Sequence, residues 1–151
     1  MTEAKKIVDQ LKPIYNGDAW HGSSFREILS DISAAKAAAK PLPSAHSIWE
    51  ITLHIAAWES AVLRRTGDDP ANLTDAEDWP PVNDTTDGAW AHTLEALEAG
   101  HNRLLERISA LSDSDLQKTA AGQSYSVHFM LQGVIHHDLY HLGQIALLKK
   151  A

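Results

Sequence analysis

Two histidines interrupt an apolar stripe near the end of the chain. When residues 126–149 are drawn as a helix, steps of three and four residues place one set of side chains on a single face: Met130, Val134, His137, His141, Ile145 and Leu148. His137 and His141 project from adjacent turns, about 6 Å apart along the axis. Burying two imidazoles is costly unless their lone pairs find partners, and a divalent metal ion is a good partner. The pattern predicts a metal site in a helical protein.

Four long segments of the chain have helical periodicity, and none alternates like a strand. These segments are residues 3–15, 44–65, 85–111 and 126–149. The second is apolar nearly all round, which is typical of a helix buried on several sides. The third has apolar residues at alternating steps of four and three, as in bundle packing. We therefore predict an all-α fold, a four-helix bundle, in a single domain over residues 1–151.

Two connections between these segments are too long for simple turns. Residues 16–43 contain a capping-box pattern from Ser24 to Glu27 and an alanine-rich stretch at 33–39, so we expect short helices there. Residues 67–84 are acidic and contain three prolines, which predicts an irregular crossover between the second and third long helices. Long connections in a compact domain often carry function.

The composition disfavours several classes of function. The formal net charge of -7 disfavours binding to nucleic acid or to an anionic membrane. No apolar run is long enough for a transmembrane helix, and the N-terminus lacks the apolar core of a signal peptide, so we expect a cytoplasmic protein. The chain has no cysteine, which excludes disulfides, thiolate ligands and a cysteine nucleophile. Nitrogen and oxygen atoms must therefore hold the metal.

A third ligand is needed, because two histidines on one helix do not hold a metal firmly. His54 is the best candidate, since it lies midway along the most apolar helix with Ile51 and Trp58 on the same face. Three such histidines favour an open facial ligand set over three separately hydrogen-bonded core histidines. His101, on the apolar face of the third helix, could be a fourth ligand, but a hydrogen-bonded core position is favoured because no other histidine is close to it in sequence. Glu50 is as readily a packing or solvated residue as a partner of His54.

Two residues beside the histidine pair are candidates for proton transfer. Asp138 follows His137 directly, so the run His-Asp-Leu-Tyr-His is close to the metalloprotease pattern His-Glu-x-x-His. Aspartate is one methylene shorter than the glutamate base of that pattern, which makes a peptidase a minor alternative. His136 is rotated about 100° from His137 and cannot share its metal, so a supporting or surface role is favoured.

These features resemble the DinB/YfiT-like superfamily of metal-binding four-helix bundles. Residues 49–58 resemble the family's helix-two histidine segment, and residues 137–144 resemble its paired-histidine motif with the following Gly-Gln. The segments 20–22 and 78–80 look like loop segments of one branch of the family. The resemblance implies an up-down-down-up bundle and frequent homodimers. It also suggests His21 as a substrate-side group or a fourth ligand.

The resemblance further implies a metal and a type of chemistry. A divalent ion, nickel or zinc first and manganese or iron as alternatives, is expected on His54, His137 and His141. Related members include transferases that use low-molecular-weight thiols and a thiol-dependent isomerase. We therefore predict a metal-dependent enzyme acting on a small-molecule substrate, either a thiol transferase or a hydrolase in which Asp138, His136 or His21 shuttles protons. The alternative is a non-catalytic metal- or ligand-binding module, although three ligands leave a more open site than a structural metal has.

Overall fold

The computed structural model describes residues 1–151 and contains helices but no strands. Along the chain the helices are α1 (Glu3–Asn16), α2 (Phe25–Leu29), α3 (Ala34–Ala38), α4 (Ile48–Arg65), α5 (Asp75–Asp78), α6 (Asp87–Ser109), α7 (Asp113–Gln117) and α8 (Val127–Lys150). The prediction of an all-α protein is confirmed. No helix combines the length and the apolar character that a membrane span requires.

The four longest helices correspond to the four predicted segments, and local capping sets their ends. The second segment begins at Ile48 rather than at residue 44, because Ser47 is its N-cap and forms a reciprocal capping box with Glu50. The first ends at Gly17, whose φ of 111° lies in the region that favours glycine. Glu50 is therefore occupied by the helix start and does not orient His54.

The connections contain short helices, as expected for residues 16–43. The predicted capping of α2 by Ser24 is present, since its hydroxyl accepts a hydrogen bond from the backbone N–H of Glu27. The irregular crossover contains one short helix, α5. Helix α7 has no counterpart among the predicted segments, although the capping box of Ser112 and Asp115 is a sequence signal for it.

Helix α4 lies against both α6 and α8, and α1 packs on the same two helices. One continuous apolar cluster joins the long helices. Its fully buried members include Ile7, Leu11, Ile55, Leu104, Leu131 and Ile145. Burying each such side chain contributes roughly 1.5–3 kcal/mol, so this packing holds the helices in place. The up-down-down-up order of the bundle stays a prediction.

The crossover between α4 and α6 is held against the end of α4 by a buried arginine. Arg65 donates hydrogen bonds to the backbone oxygens of Pro70 and Ala71 and to the hydroxyl of Tyr125. Its guanidinium also lies over the ring of Trp58, 5.3 Å from the centroid. These contacts fix the first half of the crossover, and the second half then returns along α4 as α5.

Candidate metal centre

The packing of α4 on α8 brings the three predicted histidines together. Each of His54, His137 and His141 offers a ring nitrogen within 4.8 Å of those of the other two. The Nε2 atoms of His54 and His137 are 3.1 Å apart. The ring centroid of His141 lies 4.7 Å from that of His54 and 4.5 Å from that of His137. Sequence periodicity alone therefore identifies all the members of this cluster.

Hydrogen bonds determine which nitrogen of two of these rings faces the cluster. His54 Nδ1 lies 2.7 Å from the backbone oxygen of Asp78, which can only accept, so Nδ1 carries the proton and donates. His141 Nδ1 donates in the same way to Oε1 of Gln144, 2.6 Å away. In both rings Nε2 is consequently the nitrogen that can offer a lone pair to a metal. A partner on the far nitrogen is the usual way in which proteins orient histidine ligands.

Burial also affects the protonation state of one member of this cluster, His141. The pKa of His141 is lowered, mainly because burial penalises the charged ring and also because His54 is close. A lowered pKa keeps the imidazole neutral at neutral pH. Neutral imidazole is the form that binds a metal.

Trp79 of the crossover covers the cluster. Its ring stacks on His54 with the centroids 3.8 Å apart and on His46 with the centroids 3.6 Å apart, nearly parallel in both cases. Both distances are close to the van der Waals separation of stacked aromatic rings, so the indole lies between the two imidazoles. The adjacent Asp78 accepts a hydrogen bond of 2.6 Å from Trp58 Nε1, which fixes this part of the crossover on α4.

The three candidates for proton transfer lie in different places. Asp138 is fully buried, and its Oδ1 is 3.6 Å from His137 Nδ1. His136 is exposed on the outside of α8. His21 is exposed as well and lines a cavity with Leu139, outside the three-histidine group. Only Asp138 is thus next to the cluster, and the roles of all three in catalysis stay predictions.

A second buried group, which sequence reasoning does not assemble, lies beside the first. It consists of Glu59 on α4, His101 on α6 and Asp138 on α8. His101 Nδ1 lies 2.8 Å from Glu59 Oε1, which confirms the prediction that His101 is a hydrogen-bonded core residue. Burial raises the pKa of Glu59 to about 7 and raises that of Asp138 well above its ordinary value. A charged residue on an apolar helix is the one signal that points to Glu59.

The match to known families agrees with this geometry. The model of the DinB superfamily matches residues 19–145 of the chain. The chain belongs to the DinB superfamily. Its members are typically metal-binding proteins, and the matched range contains both groups of residues that could hold a metal ion. Comparison with curated proteins and with solved structures gives no match to the chain.

Proposed function

We propose that this DinB protein is a metal-dependent enzyme whose divalent ion is held by His54, His137 and His141. The main support is the orientation of the rings, since in His54 and His141 the Nδ1 atom is committed to an acceptor and Nε2 is left for the cluster. His137 brings its Nε2 to 3.1 Å from that of His54, while its Nδ1 faces Asp138. Converging lone pairs at such distances need a cation or a proton between them. Nickel or zinc suits a set of imidazole donors, with manganese or iron as alternatives.

The proposal includes the finer architecture of the protein. The four long helices are taken as an up-down-down-up bundle in one domain over residues 1–151. The pairing of α4 with α6 and α8, and of α1 with the same two helices, supports this order. In such a bundle α4 and α6 run in the same direction. The crossover then has to return along α4, whose 18 residues span about 27 Å.

A bound divalent ion lowers the pKa of a thiol or a water molecule that reaches it, which supplies a nucleophile at neutral pH. The chain itself holds the ligands in place through Asp78 and Gln144. Trp79 covers His54 and keeps water from that side of the cluster. His137 is the ligand with access to solvent, since 27% of its side chain is exposed.

A cavity of about 270 Å³ beside His137 is the proposed place for a small-molecule substrate. Its walls are largely apolar and include Trp58, Tyr125 and Phe129. Aromatic walls favour a substrate with an apolar or aromatic body. The buried guanidinium of Arg65 contributes to the same wall and favours an anionic group on that substrate.

The proposed partners follow from the same features. A low-molecular-weight thiol is the cosubstrate of the transferase form of the proposal, and water is the cosubstrate of the hydrolase form. The net charge of -7 supports small molecules rather than nucleic acid or an anionic membrane. A homodimer is proposed through the outer face of α8, where Tyr140 and Leu147 are exposed.

A non-catalytic metal- or ligand-binding module is the second candidate. The observation in its favour is the close cover of Trp79 over His54, which protects a metal more than it admits a reactant. The cavity beside the partly exposed His137 favours the enzyme.

Metal content and turnover, measured together, test the proposal. Untagged wild type, His54→Ala and His92→Ala are purified without a metal column and analysed by elemental mass spectrometry. His92 is an exposed histidine on α6 and serves as the matched control. The same samples are assayed with glutathione plus an aryl halide, and with an aryl ester for hydrolysis.

We expect His54→Ala to lose about one equivalent of metal and at least about 100-fold in turnover, while His92→Ala matches the wild type. Alanine favours helix, so the helix content should be unchanged. Wild type that takes up no nickel, zinc, manganese or iron would sink the proposal, as would unchanged metal in His54→Ala. Metal that is lost in His54→Ala, with no turnover in any sample, would favour the binding module.

A further inference from the structure

The group formed by Glu59, His101 and Asp138 contains four side-chain atoms without a hydrogen-bond partner. These atoms are Glu59 Oε2, His101 Nε2 and both carboxyl oxygens of Asp138. The three side chains come from three different long helices and are 2%, 2% and 0% exposed. Buried polar groups in folded proteins are nearly always paired, so this concentration of unpaired atoms needs a physical cause.

Protons alone do not pair all of these atoms. One proton joins His101 Nδ1 to Glu59 Oε1, which are 2.8 Å apart. A second proton can join the carboxyl groups of Glu59 and Asp138. His101 Nε2 and one oxygen of Asp138 are then still without a partner. The nearest further group, His137 Nδ1, is 3.6 Å from Asp138 Oδ1 and beyond ordinary hydrogen-bond distance.

The charges of the group are not balanced by the surrounding protein. The ion-pair partners of Glu59 and Asp138 are the histidines His101 and His137, and neither carboxyl group pairs with a lysine or an arginine. Two carboxylates in a sealed core are very unfavourable without compensating positive charge. A divalent cation would supply that charge and would accept the free lone pairs of the carboxyl oxygens and of the imidazole.

We propose that Glu59, His101 and Asp138 form a second cation site, distinct from the three-histidine cluster. One donor atom from each residue lies within 4.8 Å of the donors of the other two. This spread is close to the limit of about 4.2 Å for two ligands that are each about 2.1 Å from one ion. The mixed oxygen and nitrogen donors select a first-row transition metal, manganese, iron or zinc, over calcium and magnesium, which prefer oxygen alone.

The site is closed on all sides, so the ion must enter while the helices are apart. The full chain is therefore unfolded in denaturant with a chelator, and refolded with an excess of Zn²⁺ or, separately, Mn²⁺. Excess ion is removed on a desalting column, and metal per chain is measured by elemental mass spectrometry. Wild type, Glu59→Gln, His54→Ala and the double variant are compared, with circular dichroism as the check that each has refolded.

Glu59→Gln keeps the shape of the side chain and removes its charge. For whichever of Zn²⁺ and Mn²⁺ fills both sites, we expect two metal ions per chain in the wild type. Each single variant should then hold one, and the double variant none. The affinity for the second equivalent should fall more than about 100-fold in Glu59→Gln, because even partners outside the ligand set are worth about 10- to 100-fold.

Two results would overturn the second site: a wild type that holds one equivalent of metal per chain and loses it in His54→Ala, or a metal content in Glu59→Gln that equals that of the wild type. His54→Ala provides an independent measurement, which does not require Glu59→Gln to fold. It must still bind one equivalent at the remaining group, and a metal-free His54→Ala protein would contradict the second site. Glu59→Gln tests the three-histidine site separately. In this variant only the three histidines can hold the one metal ion per chain that we expect to remain.

Discussion

The two clusters lie side by side where α8 packs on α4, with α6 contributing to the second, and they differ in how their polar atoms are paired. In the three-histidine cluster, the outer nitrogens of His54 and His141 donate to Asp78 and Gln144, and only the outer nitrogen of His137 lacks a partner. In the cluster around Glu59, one contact to His101 leaves atoms unpaired on every member. The first cluster is oriented in advance of any ligand, whereas the second depends on protons or on an ion for its balance. Burial of histidines or carboxyl groups is therefore not enough to define a site, and the partners of the outer atoms decide how it behaves.

The largest expected difference between the clusters is their response to pH in metal-free protein. Burial raises the pKa of Glu59 from 4.5 to about 7, so the folded chain keeps a proton that the unfolded chain releases. Wild type should therefore lose stability relative to Glu59→Gln as the pH rises from 5 to 7, by about 1.4 kcal/mol per pH unit. Urea unfolding of both proteins at pH 5, 6 and 7 measures this change.

His141, in the three-histidine cluster, should respond with the opposite sign. The pKa of His141 is lowered, so its contribution to stability is lost as the pH falls below about 6.5. Taking the difference between wild type and Glu59→Gln cancels this contribution. A difference in unfolding free energy that is constant from pH 5 to 7 would show that Glu59 is ionised in the folded protein, and the contrast between the clusters would disappear.

A smaller effect is expected when one orienting partner is removed from the histidine cluster. Gln144→Ala leaves Nδ1 of His141 without its acceptor, so the affinity of the cluster for Zn²⁺ should fall about 10- to 100-fold. Gln144→Glu retains an acceptor at the same place and should keep most of the affinity. Competition with a chromophoric chelator measures both. Equal affinities for Zn²⁺ in wild type and Gln144→Ala would mean that the hydrogen bond from His141 to Gln144 does not orient the imidazole for metal binding.

The smallest effect is expected at a position that touches neither set of ligands. Gly133 lies inside α8, one turn before His137, and a Cβ added there would meet no atom within 4 Å. Gly133→Ala should raise the unfolding free energy by about 0.5–1 kcal/mol, with unchanged metal content. Gly143→Ala is the matched control, because it has the same open surroundings but lines the cavity near His21, whereas Gly133 lines the cavity beside His137. Thermal unfolding of the two variants measures the gain, and a loss of stability in either would show that its Cβ meets an obstruction.

The sequence predicts the helices and the three histidines because both follow from periodicity along one element. His54, His137 and His141 each interrupt an apolar helix face, and this signal does not depend on which helices are neighbours. The start of α4 was predicted at residue 44 and lies at Ile48, although the capping box of Ser47 and Glu50 is a local sequence signal for it. Local signals of this kind are the part of a fold that a single chain reveals most directly.

The partners of the histidines could not be predicted in the same way. The contacts of His54 with Asp78 and Trp79 depend on how the crossover lies along α4, and nothing in the acidic, proline-containing sequence specifies that path. The pairing of Glu59 with His101 joins two helices whose relative rotation is set by packing. Such contacts depend on tertiary structure, and periodicity along one helix contains no information about them.

Trp79 links the length of the crossover to the chemistry of the buried histidines. Surface loops usually tolerate insertions, because lengthening a loop costs little free energy. Here the indole stacks on the ring of His54, so an ion held there as proposed would be thermodynamically coupled to the ordering of the crossover, and each would strengthen the other by the same factor. Selection on ion affinity would then act on the number of residues between Arg65 and Trp79. This part of the crossover would tolerate fewer insertions and deletions than its exposure suggests.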